Sequence, residues 1–196
     1  ETGGGSAHEL NTKIKALMEL GHSATVITLC SRQNKLPEDL PYQVIEENIQ
    51  SLSLFGIQRA VFGALRKYQD IADLFHVEVH FGYGSGLYNL LGGKKPVVVH
   101  CNRELSSFPE STRKTVPSTR RSIKKKIRFF IEKIIGFPLM NRNDLITFTS
   151  PILQGLYIEY GVKSSKTMVI PDFFDSKKTL EGVDKDEILS KRAQKK

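Results

Sequence analysis

Short apolar runs rich in valine, isoleucine and threonine alternate with segments of helical spacing along most of this 196-residue chain. That alternation is its strongest constraint. Parallel strands need a crossover between them, and a helix is the usual crossover, so the pattern predicts βα units and a mostly parallel sheet. Leu10, Ile14, Leu17, Met18 and Leu20 recur at helical intervals until Gly21, which predicts a helix stopped by glycine. Ala24 to Leu29 then reads as a buried strand, Tyr42 to Glu46 as a further short strand, and Ile57 to Tyr68 as a helix with Ile57, Val61 and Leu65 on one face. Val77, Val79 and Phe81 suggest a strand, Ser85 to Leu91 a short helix, and Val97 to His100 a strand running into Cys101 and Asn102. Leu145 to Thr149 is β-like, Ile152 to Tyr160 is helical with Gly161 as its stop, and Thr167 to Ile170 is a last strand before Pro171. The expected division is one α/β domain over 1–175, then a polar linker and helix over 176–196 anchored by Ile188 and Leu189.

With 39% hydrophobic and 26% charged residues, the chain has the means to build a core, and neither a disordered nor a fibrous class is favoured. The long uncharged stretches, Val79 to Gly93 and Leu145 to Glu159, fall short of the roughly 18 apolar residues of a spanning helix and are broken by Gly or Pro, so none is expected. Cys30 and Cys101 end separate β-like runs, without a paired spacing or a preceding signal peptide, which suits a reducing cytoplasm.

A formal charge of +8 favours anionic partners. Much of it lies between Arg113 and Lys133. From Ser118 to Ile135 the residues Ile123, Ile127, Phe130, Ile131, Ile134 and Ile135 fall at amphipathic helical spacing. Two readings stand side by side. In one, Arg120, Arg121, Lys124, Lys125, Lys126 and Arg128 face an anionic membrane, as a peripheral protein at its inner face would. In the other, the apolar stripe packs on the core and the charged face is solvated. The polar segment from Ser106 to Pro117 is a candidate gate. Nucleic acid is not an expected partner, because the basic run lacks interleaved stacking aromatics.

Gly3-Gly4-Gly5-Ser6 stands before a helix, where free N–H groups and the helix dipole suit a phosphate; a flexible terminus is the plainer reading. The spacing is neither the dinucleotide fingerprint nor a Walker loop. His76 and His80 alternate as metal ligands can, yet no acid or cysteine cluster completes a site, so neither a structural zinc nor a cofactor is expected.

Gly4-Gly5 followed by His8, the helix ending Leu20-Gly21-His22 and the strand Ala24 to Leu29 resemble the start of retaining GT-B glycosyltransferases of the group 1, glycogen-synthase-like type. Asp73-Leu74-Phe75-His76-Val77, Pro96-Val97-Val98-Val99-His100 and Asp144 to Ser150 resemble later strands of that family, and Tyr160-Gly161-Val162 with Val169-Ile170-Pro171 resemble the close of its N-terminal domain. Asp172-Phe173 departs from the Asn-Gly usual after that proline. The resemblance implies a Rossmann-like three-layer domain with a mostly parallel sheet, one half of a GT-B fold. It implies transfer of a hexosyl group from a nucleotide-sugar donor to a carbohydrate or lipid-linked acceptor with retained configuration. The family's second domain holds the nucleotide sugar, and nothing here matches it, so the expectation is that the chain does not complete catalysis alone. Carried over by position, His100 would be catalytic, Gly4, Gly5 and Ser6 would meet the donor diphosphate, and Asn102, Arg103, Glu104 and Ser150 would line the cleft. Glu104 is the nearby acid able to serve a proton. Ser150 before Pro151 is equally a helix cap. The competing function is a non-catalytic module that binds a nucleotide or phosphate and a membrane.

Overall fold

The computed structural model describes residues 5–30, 40–49, 51, 53–78, 82–102 and 126–171, with the backbone alone for residues 5–9 and 30. The chain divides into two compact units, Glu1–Thr25 with Pro41–Gln43 and Asp172–Lys196, and Val26–Leu40 with Val44–Pro171. The boundary expected at residue 175, the tail beyond it, the Ser106 to Pro117 segment and Val79 to Phe81 all lie outside the described residues.

In the first unit, helix α1 (Gly5–Glu19) begins five residues before the first apolar position of its pattern, so Gly5 and Ser6 sit inside its opening turn. It stops where the glycine predicts. Gly21 takes φ +85°, and the N–H groups of Gly21 and His22 reach back to the carbonyls of Met18 and Leu17, both at 3.0 Å. That pair of bonds satisfies carbonyls which the helix end leaves without partners.

Strands β1 (Thr25–Cys30) and β2 (Gln43–Asn48) form a two-stranded sheet. Helix α2 (Leu54–Tyr68) starts ahead of the apolar pattern because the Ser53 hydroxyl accepts from Gly56 N–H at 3.1 Å. At its far end Lys67 and the Tyr68 hydroxyl both donate to Glu47 of β2. Those bonds hold the Glu47 carboxyl below its usual range.

Strands β3 (Phe75–Val77), β4 (Val97–Cys101), β5 (Leu145–Phe148) and β6 (Thr167–Val169) form a four-stranded sheet in that order, parallel throughout. Between them run α3 (Tyr83–Leu90), helix α4 (described over 126–131), a π-helical turn at Glu132–Gly136, α5 (Phe137–Met140) and α6 (Pro151–Glu159). The helix expected to end at Ile135 therefore continues to Met140. Register puts Phe75, Val77, Val97, Val99, Cys101, Ile146 and Phe148 on one face, and all seven are buried. Val61 and Leu65 of α2, Tyr88 of α3, Phe137 and Met140 of α5, and Leu153 and Tyr157 of α6 complete that core.

Helix α3 fits among its neighbours by means of two glycines. A Cβ at Gly84 would lie 2.1 Å from the Gln58 carbonyl oxygen of α2, and one at Gly86 would lie 1.9 Å from the Leu139 carbonyl oxygen of α5. Both obstacles are backbone, which cannot swing aside as a side chain does. Gly63, in the middle of α2, meets nothing within 4 Å. We expect Gly86→Ala to destabilise the fold by about 3 kcal/mol or more, and Gly63→Ala to be neutral or to stabilise by about 0.5 kcal/mol. Urea unfolding of the two variants checks both signs, and equal effects would refute the packing argument.

Candidate functional site

Open parallel sheets bind ligands beyond the carboxyl ends of their strands. At that edge β4 ends in His100-Cys101-Asn102 and β5 leads into Ser150. The second face of the sheet carries His76, Val98, His100, Leu145 and Thr147, by the same register that sends their neighbours to the core. His100 is 4% exposed, and its Nδ1 lies 2.8 Å from the Thr147 hydroxyl, its cross-strand partner. Thr147 in turn donates to the Val99 carbonyl at 3.4 Å. The shorter contact, to Thr147, fixes the orientation of the His100 imidazole ring. His76 stands edge-on to His100 with ring centroids 6.0 Å apart, and its Nε2 is 3.8 Å from Glu78.

On the core side of the same strand end is a second polar group. Glu132, 3% exposed in the π-helical turn, accepts from Arg128 Nε at 2.9 Å. Gly136 lets Tyr83 approach, since a Cβ there would lie 2.7 Å from the ring. Burial, and then the charge of Glu132, push the Tyr83 hydroxyl well up, so it stays protonated and can donate throughout the folded range. Burial likewise pushes the Cys101 thiol from 9.0 to about 12.

Of the residues expected at a site, His100, Asn102 and Ser150 lie together at the carboxyl edge of β4 and β5. Ser150 is engaged in capping, its hydroxyl accepting from Leu153 N–H at 3.2 Å with Pro151 following. Gly5 and Ser6 belong to the other compact unit. Gly4, Arg103, Glu104, Arg120, Arg121, Lys124 and Lys125 lie outside the described residues. Lys126 is exposed, whereas Arg128 is drawn toward the packed side by Glu132. Sequence reading passed over Thr147, Tyr83 and Glu132. Thr147 left one signal, a hydroxyl inside the apolar run Leu145-Ile146-Thr147-Phe148.

An open depression of about 880 Å³ lies at the opposite edge, lined by Lys95, Pro96, Arg142, Asp144 and Lys166, which precede the strands. It lacks the buried polar residues of the carboxyl edge and is not the candidate site. Among the described residues no three His, Cys, Asp or Glu side chains gather as metal ligands, and no helix is long and apolar enough to cross a membrane.

The parallel sheet and its helices define a Rossmann-like α/β domain of the GT-B glycosyltransferase type. The chain belongs to Glycosyltransferase Family 4, whose family model matches residues 3–178. Its fold is similar to the crystal structure of Anabaena Alr3699/HepE in complex with UDP, with a TM-score of 0.57 at 18% identity over 97% of this chain and 46% of that one. The structure of the same protein in complex with UDP and glucose gives a TM-score of 0.55 at 19% identity, over 88% and 42% respectively. The chain thus spans less than half the length of HepE. No curated protein matches it significantly in sequence.

The burial of Cys101 makes a checkable statement about this edge. A thiol raised from 9.0 to about 12 holds far less thiolate at pH 8 than an ordinary cysteine. Cys101 should resist iodoacetamide in the native chain and react after unfolding, as read by peptide mass spectrometry. Rapid native labelling would show that the end of β4 opens.

Proposed function

We propose that the chain is the acceptor-side part of a glycosyltransferase that moves a hexosyl group from a nucleotide-sugar donor to an acceptor hydroxyl with retained configuration, and that it does not complete transfer alone. Family membership supports the reaction class. The observation that carries the reading is His100, buried at the carboxyl end of an interior strand and oriented by Thr147. HepE, which shares the fold, has been crystallised with UDP and with UDP and glucose, which makes a uridine diphosphate sugar the first donor to test.

In such a transfer the bond between the anomeric carbon and the diphosphate oxygen breaks, and its electron pair leaves with the nucleoside diphosphate. The acceptor oxygen bonds to the same carbon and gives up its proton. His100, held by its Nδ1 side, has a fixed ring to offer a hydroxyl of the donor sugar or the reacting oxygens, and a fixed partner works by being in place before charge develops. Glu104 is the proposed proton carrier, Asn102 and Arg103 the proposed cleft contacts, and Gly4, Gly5 and Ser6 the proposed diphosphate contacts.

The test is transfer from a panel of nucleotide sugars, comparing this chain with the longest polypeptide its coding sequence supports. Transfer by the longer form alone, with the product anomer matching the donor by NMR, is the expected result. In that active form His100→Ala should lower kcat/KM by about a hundredfold while changing the melting temperature little, and Thr147→Val should lower it less. An unchanged rate in His100→Ala would remove its role. Inactivity of every form would leave the binding-module reading in its place.

A further inference from the structure

We propose that the outward face of α4 and the π-helical turn docks on an anionic lipid surface. An amphipathic helix packed against a core turns its apolar stripe inward, and here the stripe is turned the other way. Ile127, Phe130, Ile131, Ile134 and Ile135 are 56%, 63%, 46%, 55% and 55% exposed. Their spacing of three and four residues puts them on one continuous strip of helix surface. The inward side carries Phe129, edge-on to Tyr160 with ring centroids 5.0 Å apart, together with Glu132, paired with Arg128, and Gly136 against Tyr83. Those contacts fix the rotation of the helix.

Charge selects the occupant. Between Arg113 and Lys133 the sequence holds nine Lys and Arg residues and a single acid, Glu132. That acid faces inward and is paired, so nothing on its element offsets the exposed Lys126 and Lys133 beside the stripe. A second copy of the chain would bring the same excess of positive charge to the contact. An anionic bilayer supplies negative headgroups for the lysines and an acyl boundary for the isoleucines and phenylalanine. With no described helix long enough to cross, the expected mode is a helix lying in the interface.

Vesicle flotation of the chain tests this independently of any sugar transfer. Binding to vesicles of phosphatidylcholine with about one-third phosphatidylglycerol, absent for phosphatidylcholine alone and weakened by salt, is the expected result. Phe130→Asp with Ile134→Asp should weaken it by roughly tenfold or more without lowering the melting temperature, since both positions are already exposed. Equal binding to neutral vesicles, or undiminished binding by that variant, would overturn the proposal. So would a dimer, abolished by the same substitutions, in a chain that does not float. Because the chain has no tryptophan, Phe130→Trp gives a second readout that leaves the helix intact. Its emission should shift to the blue on anionic vesicles, and a constant spectrum would count against docking.

Discussion

Strand β4 lies between β3 and β5, and the parallel ladder on both sides decides where each of its side chains goes. Val97, Val99 and Cys101 enter the core, while Val98 and His100 point to the other face. Because side chains alternate with a period of two, a slip of one residue would exchange these sets, driving an imidazole among Ile146, Phe148 and Tyr88. The hydrophobic penalty for that exchange is also what holds His100 opposite Thr147. Stability and site geometry therefore rest on one register. The polar edge needs no stabilising energy of its own to stay aligned.

The helices over that sheet are held at short range by what they lack. At Gly84 and Gly86 the backbone of α3 meets the backbones of α2 and α5 directly, with no side chain between. Such close approach brings Tyr83 under the π-helical turn and leaves Glu132 buried beside it. The buried carboxylate is tolerated because Arg128 neutralises it within one helical turn. Packing of α3 thus propagates to the orientation of α4, and through it to the surface that the protein presents.

Much of the architecture was legible in the sequence, since a strand interior to a parallel sheet must be apolar along its length and glycine must end certain helices. Val97 to Cys101, Leu145 to Phe148 and the stop at Gly21 follow from that local chemistry. The strand-end position of His100 was legible in the same run, and its site role was expected from the family resemblance. Its partner was not, because the match of residue 100 to residue 147 is made by strand pairing and leaves no mark within either segment. The α4 segment shows a different limit. Its periodicity announced an apolar stripe, but a stripe does not state which way it faces; the packing of Phe129 on Tyr160, the pairing of Glu132 and the space at Gly136 settle the rotation. Likewise, Gly84 and Gly86 look like flexible positions in sequence, whereas their requirement comes from carbonyls in two other helices.

The order of strands in the larger sheet follows their order in the chain, from β3 to β6, so each new strand pairs with the one made just before it. A sheet of this kind can grow in one direction as the polypeptide emerges, with each closure joining neighbours in sequence. Of the three closures, the one from Cys101 to Leu145 spans the longest connection and carries the largest loss of chain entropy. That closure is β5 docking on β4, the event that brings Thr147 to His100. The closure that spans the most chain in building the sheet is therefore the same step that sets the candidate site's central contact.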